Sequence, residues 1–215
     1  MKNLLRVFFL ACLAVLCLGA LSSCSDTPPK GLAFNLLSND TYEVYPTSDL
    51  TDAIVVIPST YKGKAVTSVS SFRGCTGLTS IEIPNSVTSI GASAFSNCTG
   101  LTNVTIGNSV ERIGYCAFSG CTGLTSIVIP DSVTSIGIAA FDGCTGLKSV
   151  TIGNSVKSIG TLAFDGCTGL KSVTFKNTNG WKADNRSLSS TDLSNKYTAA
   201  KYLKSTYYYY DWTRK

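Results

Sequence analysis

The chain has 215 residues, 44% of them apolar and 14% charged, with 19 glycines, nine cysteines, no histidine and a formal net charge of +5. So apolar a composition excludes a disordered polyelectrolyte, and so few charges exclude a long solvated coiled coil. Without histidine there is no Ser-His-Asp triad, no Cys-His dyad and no imidazole-ligated metal, so proton transfer near neutral pH would fall to carboxylates or lysine.

Lys2 and Arg6 precede an uncharged apolar run from Val7 to Leu21 that ends in small residues. The run is shorter than the roughly 20 residues of a membrane span, and its layout predicts a signal peptide over residues 1–23. Leu21-Ser22-Ser23-Cys24 resembles the bacterial lipobox, which implies that Cys24 becomes the lipidated first residue of the mature protein. An ordinary signal peptide ending near a cysteine is the plainer alternative. Residues 24–30, with Ser25-Asp26-Thr27-Pro28-Pro29-Lys30 after the cysteine, read as a short stiff tether. Each buried acyl methylene adds about 0.8 kcal/mol, so several chains anchor almost irreversibly. By resemblance to bacterial sorting rules, Ser25 implies an outer-membrane lipoprotein and not one retained at the inner membrane. Loss of Lys2 and Arg6 from the 18 basic side chains leaves 16 against 13 acidic ones, a net +3. That surplus sits in the C-terminal tail and forms no dense basic face, so nucleic acid is not an expected partner.

Residues 31–70 lead into a pattern that recurs every 23 residues. Phe72, Phe95, Phe118, Phe141 and Phe164 share one register, as do Leu78, Leu101, Leu124, Leu147 and Leu170. Ile81, Val104, Ile127, Val150 and Val173 form another column, followed by Ile83, Ile106, Ile129, Ile152 and Phe175. Periods of this size mark a solenoid whose coils bury their apolar faces on one another. In Leu-x-x-Ile-x-Ile the alternation points Ile81 and Ile83 inward and Ser80 and Glu82 outward, as in one strand of a parallel sheet stacked at about 4.8 Å. Pro84, Gly107, Pro130 or Gly153 then ends the strand. Val87 and Ile90 begin a second inward stretch, too short and β-branched for a helix, and Ala94-Phe95 closes the coil.

The motif Ile-x-Ile-Pro-x-Ser-Val-x-x-Ile-Gly-x-x-Ala-Phe-x-x-Cys-x-x-Leu, at Ile81–Leu101 and again at Ile127–Leu147, resembles the BspA-like leucine-rich-repeat family of bacterial surface proteins. The resemblance covers about residues 52–176, and Asp52–Val66 looks like the family's entry into the solenoid. The predicted fold is therefore an all-β-dominated, right-handed leucine-rich-repeat coil. It comprises an N-terminal β cap over residues 31–70, about five repeats over 71–176 and an α/β cap over 177–215. The first unit departs from the pattern: Val69 is three residues from Phe72, whereas Ile90 is five from Phe95.

Cys75, Cys98, Cys121, Cys144 and Cys167 form a further column, with Cys116 outside it. Stacked neighbours lie within the Cα range of a disulfide, but their parallel Cα–Cβ vectors hold the Cβ atoms farther apart than the preferred roughly 3.8 Å. The leading reading is a structural ladder of buried free thiols serving the backbone at a turn. An occasional bridge is the second reading, and zinc, which wants converging tetrahedral ligands and not a line, the third. No metal site and no cofactor are expected.

The outward strand positions make the candidate binding face. They are Thr79, Thr102, Thr125, Lys148 and Lys171, then Ser80, Asn103, Ser126, Ser149 and Ser172, then Glu82, Thr105, Val128, Thr151 and Thr174. Ser and Thr also simply suit solvent-facing strands. With no aromatic and no carboxylate pair, the face suits a hydrogen-bonded protein or glycan better than a catalytic floor. Asp142 and Asp165 share the position after Phe on adjacent coils, close enough to raise a pKa, but on a turn.

In the tail, Asp192–Leu203 reads as an amphipathic helix with Ser194 or Asn195 near its start, and Tyr207–Trp212 as an aromatic strand. One reading is a cap in which Trp181 packs on that strand and covers the last coil; the other is an exposed platform of Tyr208, Tyr210 and Trp212 for sugar rings or peptide. The closing Trp212-Thr213-Arg214 also resembles the segment that follows BspA-like repeats. The family resemblance implies adhesion to a host extracellular-matrix or other surface protein, or to a glycan, with the membrane engaged through the lipid anchor. A structural or accessory subunit of an outer-membrane complex is the alternative. An enzyme is not expected.

Overall fold

The computed structural model describes residues 27–214, so the predicted signal peptide and Cys24 lie outside the described residues. The chain opens with an antiparallel hairpin, β1 (Leu32–Leu36) and β2 (Tyr42–Pro46). Next come β3 (Ile54–Val56) and β4 (Thr60–Tyr61), which turns back on β5 (Lys64–Val69). Phe34, Tyr42 and Tyr61 pack together on this cap, with the Phe34 and Tyr61 rings stacked 4.1 Å apart.

From there the chain is a mostly-β solenoid that winds once every 23 residues, as its apolar columns require. Each coil supplies two short parallel strands. One series is β6 (Ser80–Ile83), β8 (Asn103–Ile106), β10 (Ser126–Val128), β12 (Ser149–Ile152) and β14 (Ser172–Phe175). The other is β7 (Ser89–Ile90), β9 (Arg112–Ile113), β11 (Ser135–Ile136) and β13 (Ser158–Ile159). The apolar columns are buried between these two walls. Phe72, Phe95, Phe118, Phe141 and Phe164 stack through the middle with ring centroids 5.1 to 5.3 Å apart.

The two walls differ in continuity. The two-residue strands join an unbroken 11-stranded sheet, in which β7, β9, β11 and β13 follow β1, β2 and β5 and are closed by β17 (Trp212–Arg214), β15 (Trp181–Ala183) and β16 (Arg186–Ser187). The wall of longer strands, read in the sequence as one stack, is split: β3-β6-β8 form one sheet and β10-β12-β14 another.

Two backbone columns make the corners. Gly74, Asn97, Gly120, Gly143 and Gly166 have positive φ, as expected where a chain turns sharply. The second column, Ser93, Cys116, Ala139 and Leu162, is also left-handed, with φ between 50° and 58°, although none of the four is glycine. Gly107 answers a different need: a Cβ there would lie 2.4 Å from the carbonyl oxygen of Pro84 on the preceding coil.

The C-terminal segment differs from the single helix that the sequence suggests. Helix α1 (Ser190–Ser194) is capped by Ser189, and α2 (Lys196–Lys201) by Asn195, whose side chain accepts from the N–H groups of Tyr197 and Thr198. Asn195 is extended (φ −83°, ψ 105°), so it ends one helix and starts the next. A wide helical turn over Tyr202–Thr206 follows. Tyr207–Asp211 is a turn and not a strand; the pairing begins at Trp212, antiparallel to β13. Here the tail imitates the next coil. On the inner coils the N–H of Cys116 donates to the carbonyl of Ile138; on the last coil the N–H of Leu162 donates to the carbonyl of Tyr208. Arg214 donates from Nε to the carbonyl of Val156 at 3.0 Å and from Nη2 to that of Asn154 at 2.5 Å, and Lys204 reaches the carbonyl of Leu170. Carbonyls left over by the end of the stack are thereby satisfied.

Candidate binding face

Alternation along the longer strands puts Ile81, Ile83, Ile127, Val150, Ile152 and Val173 inside and sends their neighbours out. Register then aligns the outward residues between coils. Ser80 pairs with Asn103 and Glu82 with Thr105 in the first sheet. In the second, Ser126, Ser149 and Ser172 form one row, and Val128, Thr151 and Thr174 another. All of these side chains are exposed or half-buried, as are Thr79, Thr102, Thr125, Lys148 and Lys171 at the strand starts. The predicted positions therefore do share one face, divided between β8 and β10.

The threonines near one end are committed to the backbone. Thr79 Oγ1 donates to the carbonyl of Ala53 and Thr102 Oγ1 to that of Thr79. The Asn103 amide donates to Ser80 Oγ at 3.1 Å. Farther along, Lys148 and Lys171 stand on adjacent coils; the salt bridges found among the described residues, Lys64–Asp40 and Lys176–Asp131, involve neither.

At the division a groove of about 600 Å³ opens, lined by Val104, Ile106, Val128, Pro130, Asp131 and Lys176, among others. Val104 is only half-buried there, whereas Ile81 and Ile127 of the same column are fully buried, and Val128 is 60% exposed. Asp131 crosses two coils to Lys176 (3.0 Å) and accepts from the N–H of Asn154; that N–H and Lys176 together hold its carboxyl below the usual carboxylate range. The apolar spacing in the sequence carries no sign of this groove.

The aromatic platform needs correction. Trp212 is 1% exposed, lying 6.0 Å from Phe175 and 6.3 Å from Trp181, with its indole N–H on the carbonyl of Tyr207. It belongs to the core because strand β17 turns it onto the last coil, so it shares no surface with Tyr208 and Tyr210. Tyr209 and Tyr210 are exposed, while Tyr208 is half-buried, its ring 4.2 Å from that of Tyr209.

The six described cysteines are all free thiols. Cys98, Cys121, Cys144 and Cys167 are buried, and each Sγ donates at 3.0 to 3.1 Å to a phenylalanine carbonyl 26 residues earlier. Burial pushes the Cys98 thiol up to about 12 and raises Cys121 as well. Cys75 and Cys116 are half-buried. On the same turn as Cys144, burial and then the neighbouring Asp165 charge raise the pKa of Asp142.

Comparison with known proteins returns one protein family: the model described as "BspA type Leucine rich repeat region (6 copies)" matches residues 67–198, more than half the chain. Among solved structures, the chain is similar to a leucine-rich-repeat protein of T. pallidum, with 35% identity and a TM-score of 0.64 over 70% of this chain and 71% of that one. It is also similar to a leucine-rich-repeat protein of Bacteroides ovatus, with 39% identity and a TM-score of 0.62 over 69% of this chain and 41% of that one. A leucine-rich cell surface protein of Faecalibacterium prausnitzii is 30% identical with a TM-score of 0.61, over 70% of this chain and 39% of that one. The chain thus spans less than half the length of the last two. No curated protein matches the sequence.

Proposed function

Because the chain belongs to the BspA-type leucine-rich-repeat family, we propose that it is a binding module displayed on a bacterial surface, not a catalyst. Its ligand is a host extracellular-matrix protein, another surface protein or a glycan, held on the face of the longer strands. The observation that carries this reading is the register of that face: ten outward strand positions, rich in Ser and Thr and poor in carboxylate, are aligned strand to strand within the two sheets that share it. A preorganised hydrogen-bonding surface of this kind binds without first ordering itself. The F. prausnitzii relative is described as a cell surface protein, which agrees with display at the surface; the lipobox reading of Cys24 supplies the proposed outer-membrane anchor. Five strands at about 4.8 Å span only about 20 Å, so each copy offers a modest footprint and many anchored copies act together.

Intact cells carrying the protein are to be treated with added protease and the washed cells then offered a panel of matrix proteins and glycans. Cleavage on intact cells with loss of adherence supports the reading. A chain spared until the outer membrane is opened supports instead an accessory subunit of an envelope complex.

A further inference from the structure

Asn85, Asn108, Asp131 and Asn154 share one register in the turn that follows the longer strands. The side chain at this position serves the next coil: Asn85 Oδ1 accepts from the N–H of Asn108 at 2.7 Å, and Asp131 Oδ1 from that of Asn154 at 2.8 Å. The series is interrupted where β8 and β10 form no ladder. There Asn108 makes no bond to the N–H of Asp131, and among the described residues its side-chain amide has no hydrogen-bond partner. The hydroxyl of Thr105 is likewise unpartnered among them, unlike those of Thr79 and Thr102. Both side chains are exposed, and both line the groove of about 600 Å³. The coils beneath stay in contact, with the Phe95 and Phe118 rings 5.2 Å apart. The groove is thus a depression in the outer surface, and a ligand in it lies upon the strands, not between them.

Floor and rim differ in chemistry. Val104, Val128 and Pro130 give the groove an aliphatic floor. On the rim, Lys176 Nζ donates to both carboxylate oxygens of Asp131 at 3.0 Å, so the one cation and one carboxylate of the lining cancel. A charged ligand gains no net attraction there and must compete with the pair. A hydroxyl need not compete, because it accepts from an ammonium or amide N–H while donating to a carboxylate. The free Asn108 amide and Thr105 hydroxyl each offer a donor and an acceptor as well. The volume falls within the roughly 300–1,000 Å³ of small-molecule sites, which pair an apolar lining with a few convergent polar groups. The matching ligand is neutral, apolar on one face and edged with hydroxyls, which is the form of a pyranose ring.

Resting on the binding role proposed above, we infer that the groove over β8 and β10 receives a neutral pyranose unit of a glycan. One face of the ring lies on Val104 and Val128, and its hydroxyls are shared among Thr105, Asn108, Asp131 and Lys176.

Saturation-transfer NMR titration of the purified protein tests this, the probes being the methyl pyranosides of glucose, galactose, mannose, fucose and N-acetylglucosamine. At least one is expected to bind, with the strongest transfer to the C–H protons of one ring face. Added salt should leave its affinity unchanged, because the ligand carries no charge to screen. Asn108→Ala/Thr105→Val removes two exposed groups that make no hydrogen bond within the described chain. That variant should keep its fold by circular dichroism and lose affinity at least tenfold. Lys148→Ala/Lys171→Ala, on the same wall but outside the groove, should bind as the wild type does. Failure of every probe to bind overturns the inference, and so does undiminished binding by Asn108→Ala/Thr105→Val. Tighter binding of methyl glucuronide that is lost on adding salt also overturns it, since the groove then selects an anion. If cells displaying the protein adhere to a matrix protein while no pyranoside binds, the inference fails and the broader binding role stands; if neither binds, both fail.

Discussion

The thiol of Cys121 donates a 3.1 Å hydrogen bond to the carbonyl of Phe95, one coil back, and that carbonyl also accepts from the N–H of Cys98. The same arrangement recurs for Cys98, Cys144 and Cys167. A small buried side chain with one weak donor suits this corner: it gives the carbonyl a second hydrogen bond from the next coil. The cysteines therefore act between coils through the backbone and not through each other.

Thiol protection follows from that burial. With iodoacetamide at pH 8 on the folded protein, mass spectrometry should find alkylation at Cys75 and Cys116, which are half-buried, and none at Cys98, Cys121, Cys144 or Cys167. The raised pKa of Cys98, about 12, keeps its reactive thiolate scarce as well. Ready modification of the buried four in native protein contradicts the assignment.

The ring stack predicts a localised weak point. Phe118 lies between Phe95 at 5.2 Å and Phe141 at 5.3 Å and is fully buried. Phe118→Ala should lower unfolding free energy by about 3–5 kcal/mol, and Phe118→Leu by clearly less, in urea titrations.

Cys116 is an opportunity for stabilisation. Its φ of 50° costs an L-residue roughly 1–2 kcal/mol, and glycine relieves that cost at the expense of a freer unfolded chain. Cys116→Gly should stabilise by about 0.5–1 kcal/mol, whereas Cys116→Ala, which keeps a Cβ, should not. Thermal melts of the two variants decide this.

The Asp142–Asp165 corner sets a pH dependence. The folded pKa of Asp142 lies above its unfolded value, through burial first and the Asp165 charge second. Its protonated form thus favours folding, and that contribution, complete below the unfolded pKa, is lost as pH rises through the folded one. Asp142→Asn should raise the melting temperature at pH 7, and the gain should vanish in acid below the ordinary aspartate pKa. An equal gain at both pH values would remove Asp142 titration as its cause.

The coils, their 23-residue period and their inward columns were legible in the sequence because burial imposes them on every turn alike. Features that depend on one coil meeting the next were not. Nothing in the apolar spacing marks β8 and β10 as unpaired, since the split turns on main-chain donors between coils; nor does it show that the two-residue strands form the longer sheet. Asn195 was legible as a cap, but not that its extended backbone would also end a preceding helix. Trp212 looked like one of three alternating aromatics, yet the turn at Tyr207–Asp211 breaks the alternation and delivers it to the core.

Ser126 and Ser149 are register partners on the wall of longer strands, and Ser135 and Ser158 are register partners on the wall of two-residue strands. Adherence of cells displaying Ser126→Arg/Ser149→Arg, compared with cells displaying Ser135→Arg/Ser158→Arg, on whichever matrix protein or glycan holds the wild type, tests the binding face most directly. A loss of tenfold or more for the first pair, with the second close to wild type, is the result the account predicts. Equal adherence of both pairs, at matched surface levels and with both folded, would contradict it.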